Sequence, residues 1–189
     1  MTIQLKGQAM RRLGWISGLA ALALAAGGAA RAEVVDANPS GFQVKQTVEI
    51  AAPAAKVWKS LGKIGSWWNP QHTWSQDAKN LGLTLTYNGE MWENLPGGGF
   101  VHHLKVLYID PGKKVIFDGT LGPMMYSGAS GHLVWVLTEK DGHTSFAQTY
   151  YVGGYFPGGL DKLAPAVDGV LGEQLGRLKS YVETGKPTP

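Results

Sequence analysis

Alternation of apolar and polar positions is clearest over residues 42–50. There Val44, Val48 and Ile50 fall on one face and Lys45, Thr47 and Glu49 on the other, a period of two that predicts a strand. Gln46 interrupts the apolar face. After Ala51-Ala52-Pro53 the period lengthens: Val57, Trp58 and Leu61 share a side at helical spacing and Ile64 extends it. Pro53 suits a first helical position, so a short helix is expected. Beyond residue 80 come runs separated by turn signals every roughly eight to twelve residues, which predict an antiparallel meander. Residues 81–86 and 90–94 flank Asn88-Gly89, a hairpin signal. Pro96-Gly97-Gly98-Gly99 leads into 100–109, Asp110-Pro111-Gly112 turns into 114–118, and residues 140–143 separate 131–139 from 144–152. Together these make seven strands. The chain then returns to helical spacing, with Leu160, Leu163, Val167, Leu171, Leu175, Leu178 and Val182 marking a long amphipathic helix that stops at Thr184-Gly185. Pro165 lies inside that pattern, so the helix kinks or begins there.

The first 32 residues differ in kind. Lys6, Arg11 and Arg12 precede an apolar run of 12 residues, 15–26, followed by small residues and by Ala30-Arg31-Ala32, an A-x-A cleavage pattern. This reads as a secretory signal peptide, too short in its apolar part for the ~20 residues that cross a bilayer. Translation starts at Met1 or at Met10, which stands directly before Arg11-Arg12. Cleavage leaves a leader over 33–41 and one domain over 42–186. It also removes four basic residues and no acidic one, leaving 13 Lys and Arg against 14 Asp and Glu. The overall charge of +3 therefore belongs to the signal, no basic stripe remains for nucleic acid, and stable membrane insertion after cleavage is not expected. The chain has no cysteine, which excludes disulfides, thiolate metal sites and cysteine nucleophiles.

Strand, short helix, antiparallel meander and long terminal helix is the order of elements in the helix-grip fold. The chain resembles the START-like (SRPBCC) superfamily, which includes polyketide cyclase-like and birch-pollen-allergen-like proteins. The resemblance is carried by Val48-Glu49-Ile50-Ala51-Ala52-Pro53-Ala54-Ala55-Lys56-Val57-Trp58 and by Gln174-Leu175-Gly176-Arg177-Leu178-Lys179. A bacterial subgroup is closer, through Trp-Trp-x-Pro-x-His-Thr at 67–73, Asp-Ala-Lys-Asn-Leu at 77–81 and Gly-x-Leu-Gly-Pro at 119–123. It implies an α+β domain in which a seven-stranded curved antiparallel sheet wraps the terminal helix. Between sheet and helix it implies a cavity for a small apolar molecule, held without cofactor or metal.

Trp67, Trp68, His72 and Trp74 occur within eight residues of an irregular segment, 65–80, too polar for a core strand and too aromatic for a linker. Trp68, His72 and Trp74 are candidate ligand contacts at the cavity mouth, although tryptophan is also a common plug of a sheet end. His72 has the chemistry of a general base, with Asp77, Glu93 and His103 as candidate partners. The plainer reading makes Asp77 a cap or turn residue and Glu93 a solvated one. His102 and His103 are adjacent on a strand and point to opposite faces, so they cannot share a metal. The subgroup resemblance points to His103 as the inward one, whereas Phe100, Leu104 and Val106 favour His102. Tyr126, after the 119–123 loop, and Trp135, Tyr150 and Tyr151 on the last two strands are further candidates, each also readable as core. Gly97-Gly98-Gly99 and Gly153-Gly154 lack a phosphate-loop context, and no G-x-S-x-G or H-E-x-x-H motif occurs.

The expected function is an exported binder of a lipid, aromatic or polyketide-like molecule. The first rival is a cofactor-free cyclase, dehydratase or hydrolase using a cavity histidine as base; the second is an interaction module without a small ligand. Export is tested directly by fusing the chain to a reporter active only outside the cytoplasm. Activity should appear with residues 1–32 and vanish without them, and activity without the segment refutes the signal.

Overall fold

The computed structural model describes residues 31–188, so the segment expected to be a signal lies outside the described residues except for Arg31 and Ala32. Eight strands form one antiparallel sheet: β1 (Arg31–Asn38), β2 (Gly41–Ile50), β3 (Leu81–Leu83), β4 (Glu90–Asn94), β5 (Phe100–Asp110), β6 (Lys114–Asp118), β7 (Gly128–Lys140) and β8 (His143–Tyr155). Their spatial order is β1-β2-β8-β7-β6-β5-β4-β3, each strand antiparallel to its neighbours. Two helices complete the fold, α1 (Ala54–Leu61) and α2 (Ala164–Thr184), with α2 packed on β2 and β1 and touching α1. This is the α+β helix-grip arrangement, with one strand more than the seven expected.

The extra strand takes in most of the stretch expected as a leader, 33–41, together with Arg31 and Ala32 at the end of the expected signal. Residues 31–38 pair with β2 from Arg31↔Thr47 to Asn38↔Gly41, and the ladder shifts between Val34 and Asp36. Val34 and Val35 are adjacent, not alternating, and both remain exposed on this edge, so no period-two pattern marks the strand.

Elsewhere periodicity decides burial. On β2, Phe42, Val44, Val48 and Ile50 are buried, opposite Phe146, Tyr150 and Val152 of β8. Leu171, Leu175, Leu178 and Val182 of α2 and Val57 and Leu61 of α1 close the core from the other side. Pro165 sits in the first turn of α2, where its missing N–H costs no hydrogen bond, and Gly185 ends the helix at φ 81°.

The interruption at Gln46 belongs to a polar strip under the helix. Gln46 faces Gln148 on β8; Gln148 accepts from Trp135 Nε1 (3.1 Å) and donates to the Leu171 carbonyl (3.0 Å), while Gln46 donates to the Asp168 carboxylate. These bonds fix which residues of α2 lie over β2 and β8, while the buried Oε1 of Gln46 has no partner among the described residues.

Candidate functional site

Between the β3–β4–β5 end of the sheet and the first turns of α2 lies a cavity of about 360 Å³. Its walls draw on the three segments that carried the subgroup resemblance, through Trp68 and residues 71–73, Leu81, and residues 121–123, and on Trp74 and Met124 directly after the first and the last. Leu163, Val167, Val170 and Leu171 of the α2 region close the opposite side. Burial grades the lining by depth. Trp68, Leu81, Met91, His103, Met124 and Leu171 are buried and form the floor, whereas Gln71, His72, Trp74 and Pro123 are exposed and form the rim.

His103 reaches the floor through a β-bulge. In the β4–β5 ladder Met91 pairs with Leu104 but Trp92 pairs with His102, so His103 is the extra residue. Two consecutive side chains, His103 and Leu104, therefore point inward: Leu104 and Val106 are buried in one phase and Val101 and His103 in the other, while Phe100 and His102 are exposed, so the strand pattern that favoured His102 is corrected and His103 is the inward residue. His102 points out and meets Glu90 at 3.1 Å. Gly119, at φ 139°, crosses close by; a Cβ there would lie 2.4 Å from the His103 carbonyl oxygen, so only glycine permits the crossing. The loop after Gly119 is pinned by Tyr150, whose hydroxyl donates to the Gly119 carbonyl (3.1 Å) and accepts from the Leu121 N–H (3.0 Å).

His103 Nε2 lies 3.2 Å from Glu93 Oε2. Glu93 has no solvent exposure and is not the solvated residue of the plainer reading. It shares the inward phase of β4 with Met91, a signal available in the sequence as a carboxylate at an apolar position. Its oxygens also accept the backbone N–H groups of Trp74 (3.2 Å) and Ser75, directly before Gln76 turns the chain at φ 58°. Burial raises the Glu93 carboxyl, but the hydrogen bonds from Ser75, Trp74 and His103 outweigh it and hold the group below the ordinary carboxylate value. For His103 burial dominates and pushes the imidazole down, against the opposing pull of Glu93. At neutral pH the pair is thus a carboxylate and a neutral imidazole.

His72 does not join that pair. It sits at the rim with Nε2 2.9 Å from Oε2 of Glu173 on α2, a partner that sequence reasoning missed because Glu173 reads as one of the solvated charges of an amphipathic helix. The same segment is held to α2 by Asn69, which donates its backbone N–H to Gln174 (2.8 Å) and its amide to Glu173, and by Arg177, which donates to the Trp67 carbonyl (3.0 Å).

Asp77 is a cap: its Oδ1 accepts from the Lys79 N–H (3.0 Å) in a short 3-10 turn, so it partners neither histidine. Tyr126 is exposed outside the lining and meets Trp74 edge-on at 5.5 Å between ring centroids. Trp135 is corrected to core, held between Phe117 and Phe146. Tyr151 is corrected to the outer sheet face: on β8 the inward phase takes Tyr150, as the alternation of Phe146, Gln148 and Val152 signals.

A model of one protein family, described as polyketide cyclase / dehydrase and lipid transport, matches residues 41–183. The chain belongs to that family. In fold it is similar to EF2215, a conserved protein of unknown function from Enterococcus faecalis, at 16% identity over 85% of this chain and 80% of that one, with a TM-score of 0.57. It is also similar to CalU16 from Micromonospora echinospora, at 12% identity over 86% and 88%, with a TM-score of 0.56. DynU16, a protein in the dynemicin biosynthetic locus, is similar at 20% identity and a TM-score of 0.53; the match covers 77% of this chain and 48% of DynU16, about half its length. A comparison with curated proteins finds no match.

Within this member of the polyketide cyclase / dehydrase and lipid transport family, the buried pair makes stability depend on pH. The Glu93 carboxyl is lowered on folding, so its contribution is complete above the ordinary carboxyl value of 4.5 and is lost as pH falls through the lower folded value. Glu93→Gln leaves at least one of the three donors unpaired and should cost roughly 1–3 kcal/mol at pH 7. Denaturant unfolding of both proteins from pH 7 to pH 3 should show that gap closing below about pH 4.5; a gap independent of pH contradicts the assignment.

Proposed function

We propose that this chain is an exported protein, periplasmic or secreted, that binds a small apolar molecule of the lipid, aromatic or polyketide-like kind between the sheet and α2. The observation that carries the reading is the cavity of about 360 Å³ whose buried floor is apolar except for His103. That size and composition match small-molecule sites, which combine apolar walls with few orienting polar groups. The family description, which spans cyclase or dehydrase chemistry and lipid transport, supports a ligand-binding or cyclase-like role. No described helix is long and apolar enough to cross a membrane.

One observation favours a second reading, a cofactor-free enzyme of the cyclase, dehydratase or hydrolase kind. His103 is neutral, held by a carboxylate and placed against the cavity, which are the requirements of a general base. In that reading Glu93 orients the ring and His72, paired with Glu173 at the rim, takes no part. Mass spectrometry separates the two readings, since a carried molecule leaves the protein unchanged and a substrate leaves altered.

Binding itself is tested with Nile red. The dye should bind the folded protein, quench tryptophan fluorescence and raise the melting temperature with concentration. Trp74 is 39% exposed at the rim, so Trp74→Ala should weaken binding while costing well under the ~3–5 kcal/mol of a buried tryptophan. No shift with Nile red or any of a panel of lipids and aromatics, together with a large stability loss in the variant, would reject the pocket and return Trp74 to the core.

A further inference from the structure

We propose that His103 supplies the floor of the cavity with its one nitrogen acceptor from a side chain, so that the pocket selects an uncharged ligand carrying a hydroxyl or N–H donor at its buried end and rejects carboxylates. The proposal rests on reading the cavity as a binding site and adds what that site recognises.

The argument begins with proton inventory. An ionised carboxylate only accepts, so the contact between Glu93 Oε2 and His103 Nε2 places the proton on Nε2. A neutral imidazole has one such proton, and Nδ1 is left with its lone pair. No described side chain or backbone group donates to Nδ1, although the ring is only 7% exposed and lines the cavity. The other side chains of the floor have no donor to offer it. Leu81, Met91, Met124 and Leu171 are apolar, and the indole N–H of Trp68 is already given to the His72 carbonyl at 3.0 Å. A ligand that fills this floor leaves the lone pair unsatisfied unless it brings a donor, and an unsatisfied buried polar atom carries its whole desolvation cost.

The same geometry disfavours anions. Glu93 is kept ionised by hydrogen-bond donors, with no cation among the groups acting on it. A carboxylate ligand would place a second negative charge one imidazole ring away in a dry site, against an acceptor and not a donor. A ketone or ether oxygen on the floor meets the same lone pair, though without the charge. The pocket is therefore built for the hydroxyl form of a molecule over its ether, and for either over its acid.

Four ligands of one ring system decide the matter: naphthalene, 2-naphthol, 2-methoxynaphthalene and 2-naphthoate, titrated calorimetrically at pH 7 into the wild-type protein. 2-Naphthol should bind about tenfold more tightly than 2-methoxynaphthalene, the worth of one hydrogen bond, and 2-naphthoate should bind most weakly. In His103→Phe the advantage of the naphthol should disappear while naphthalene still binds. In His103→Gln, whose amide can donate to Glu93 and present its oxygen to the cavity, the advantage should return. Equal binding of naphthol and ether, or preference for the naphthoate, in the wild type overturns the proposal without any variant and leaves the binding reading standing. Persistence of the naphthol advantage in His103→Phe also overturns it. Binding of none of the four, naphthalene included, removes both the proposal and the binding reading beneath it.

Discussion

A carboxylate with no access to water must be satisfied from within, and Glu93 sets that demand on the surrounding structure. Its donors come from two directions. Trp74 and Ser75 bring their backbone N–H groups from the irregular segment, and His103 brings its ring from β5. The first contact draws the segment after residue 73 across the end of β4, which puts Trp74 at the rim. The second requires His103 to face inward next to an inward Leu104, and the β-bulge provides this. Gly119 then follows from the bulge, because the neighbouring loop passes too close to the His103 carbonyl for any Cβ. Cavity floor, rim and one wall are in this sense consequences of a single buried charge.

The opposite wall is fixed by a separate group of polar contacts. Asn69, His72 and the Trp67 carbonyl reach Glu173, Gln174 and Arg177, three residues of one α2 turn, so the aromatic segment is tied to the helix as well as to the sheet. The Glu173 carboxyl is raised by burial but lowered further by Asn69 and His72, so these bonds favour its charged form. Two anchors hold the segment that forms the mouth, one on each side of the space between sheet and helix. The 119–126 stretch is held differently, through the Tyr150 hydroxyl beneath it and the edge contact of Tyr126 with Trp74.

The elements that obey a period were legible in the sequence, and those that depend on distant partners were not. β2, β4 and β6 and the C-terminal helix were marked by their apolar spacing, because in each the inward phase is continuous or nearly so. β1 carries no such mark, because an exposed edge strand with a bulge at Val35 needs no alternation. At the site, the resemblance and the strand pattern disagreed over His102 and His103, and no single period could reconcile them, since a bulge is an offset between two periods. Glu93 sat in the apolar phase of β4 beside Met91, a sign of burial that its charge obscured. Glu173 carried no sign at all: its partner His72 is 101 residues away, and only the fold brings them together. Asp77, by contrast, was readable as a local cap, and the structure places it as one.

The ionised Glu93 and neutral His103 pair is the central claim, and nitrogen-15 NMR of the histidine rings observes it without ligand or mutation. At pH 7, long-range proton–nitrogen correlations should show His103 protonated at Nε2 and bare at Nδ1, with the second proton added only below the ordinary imidazole value of 6.5. A His103 ring protonated at Nδ1, or carrying both protons at neutral pH, would contradict the account, because the floor of the cavity would then present a donor.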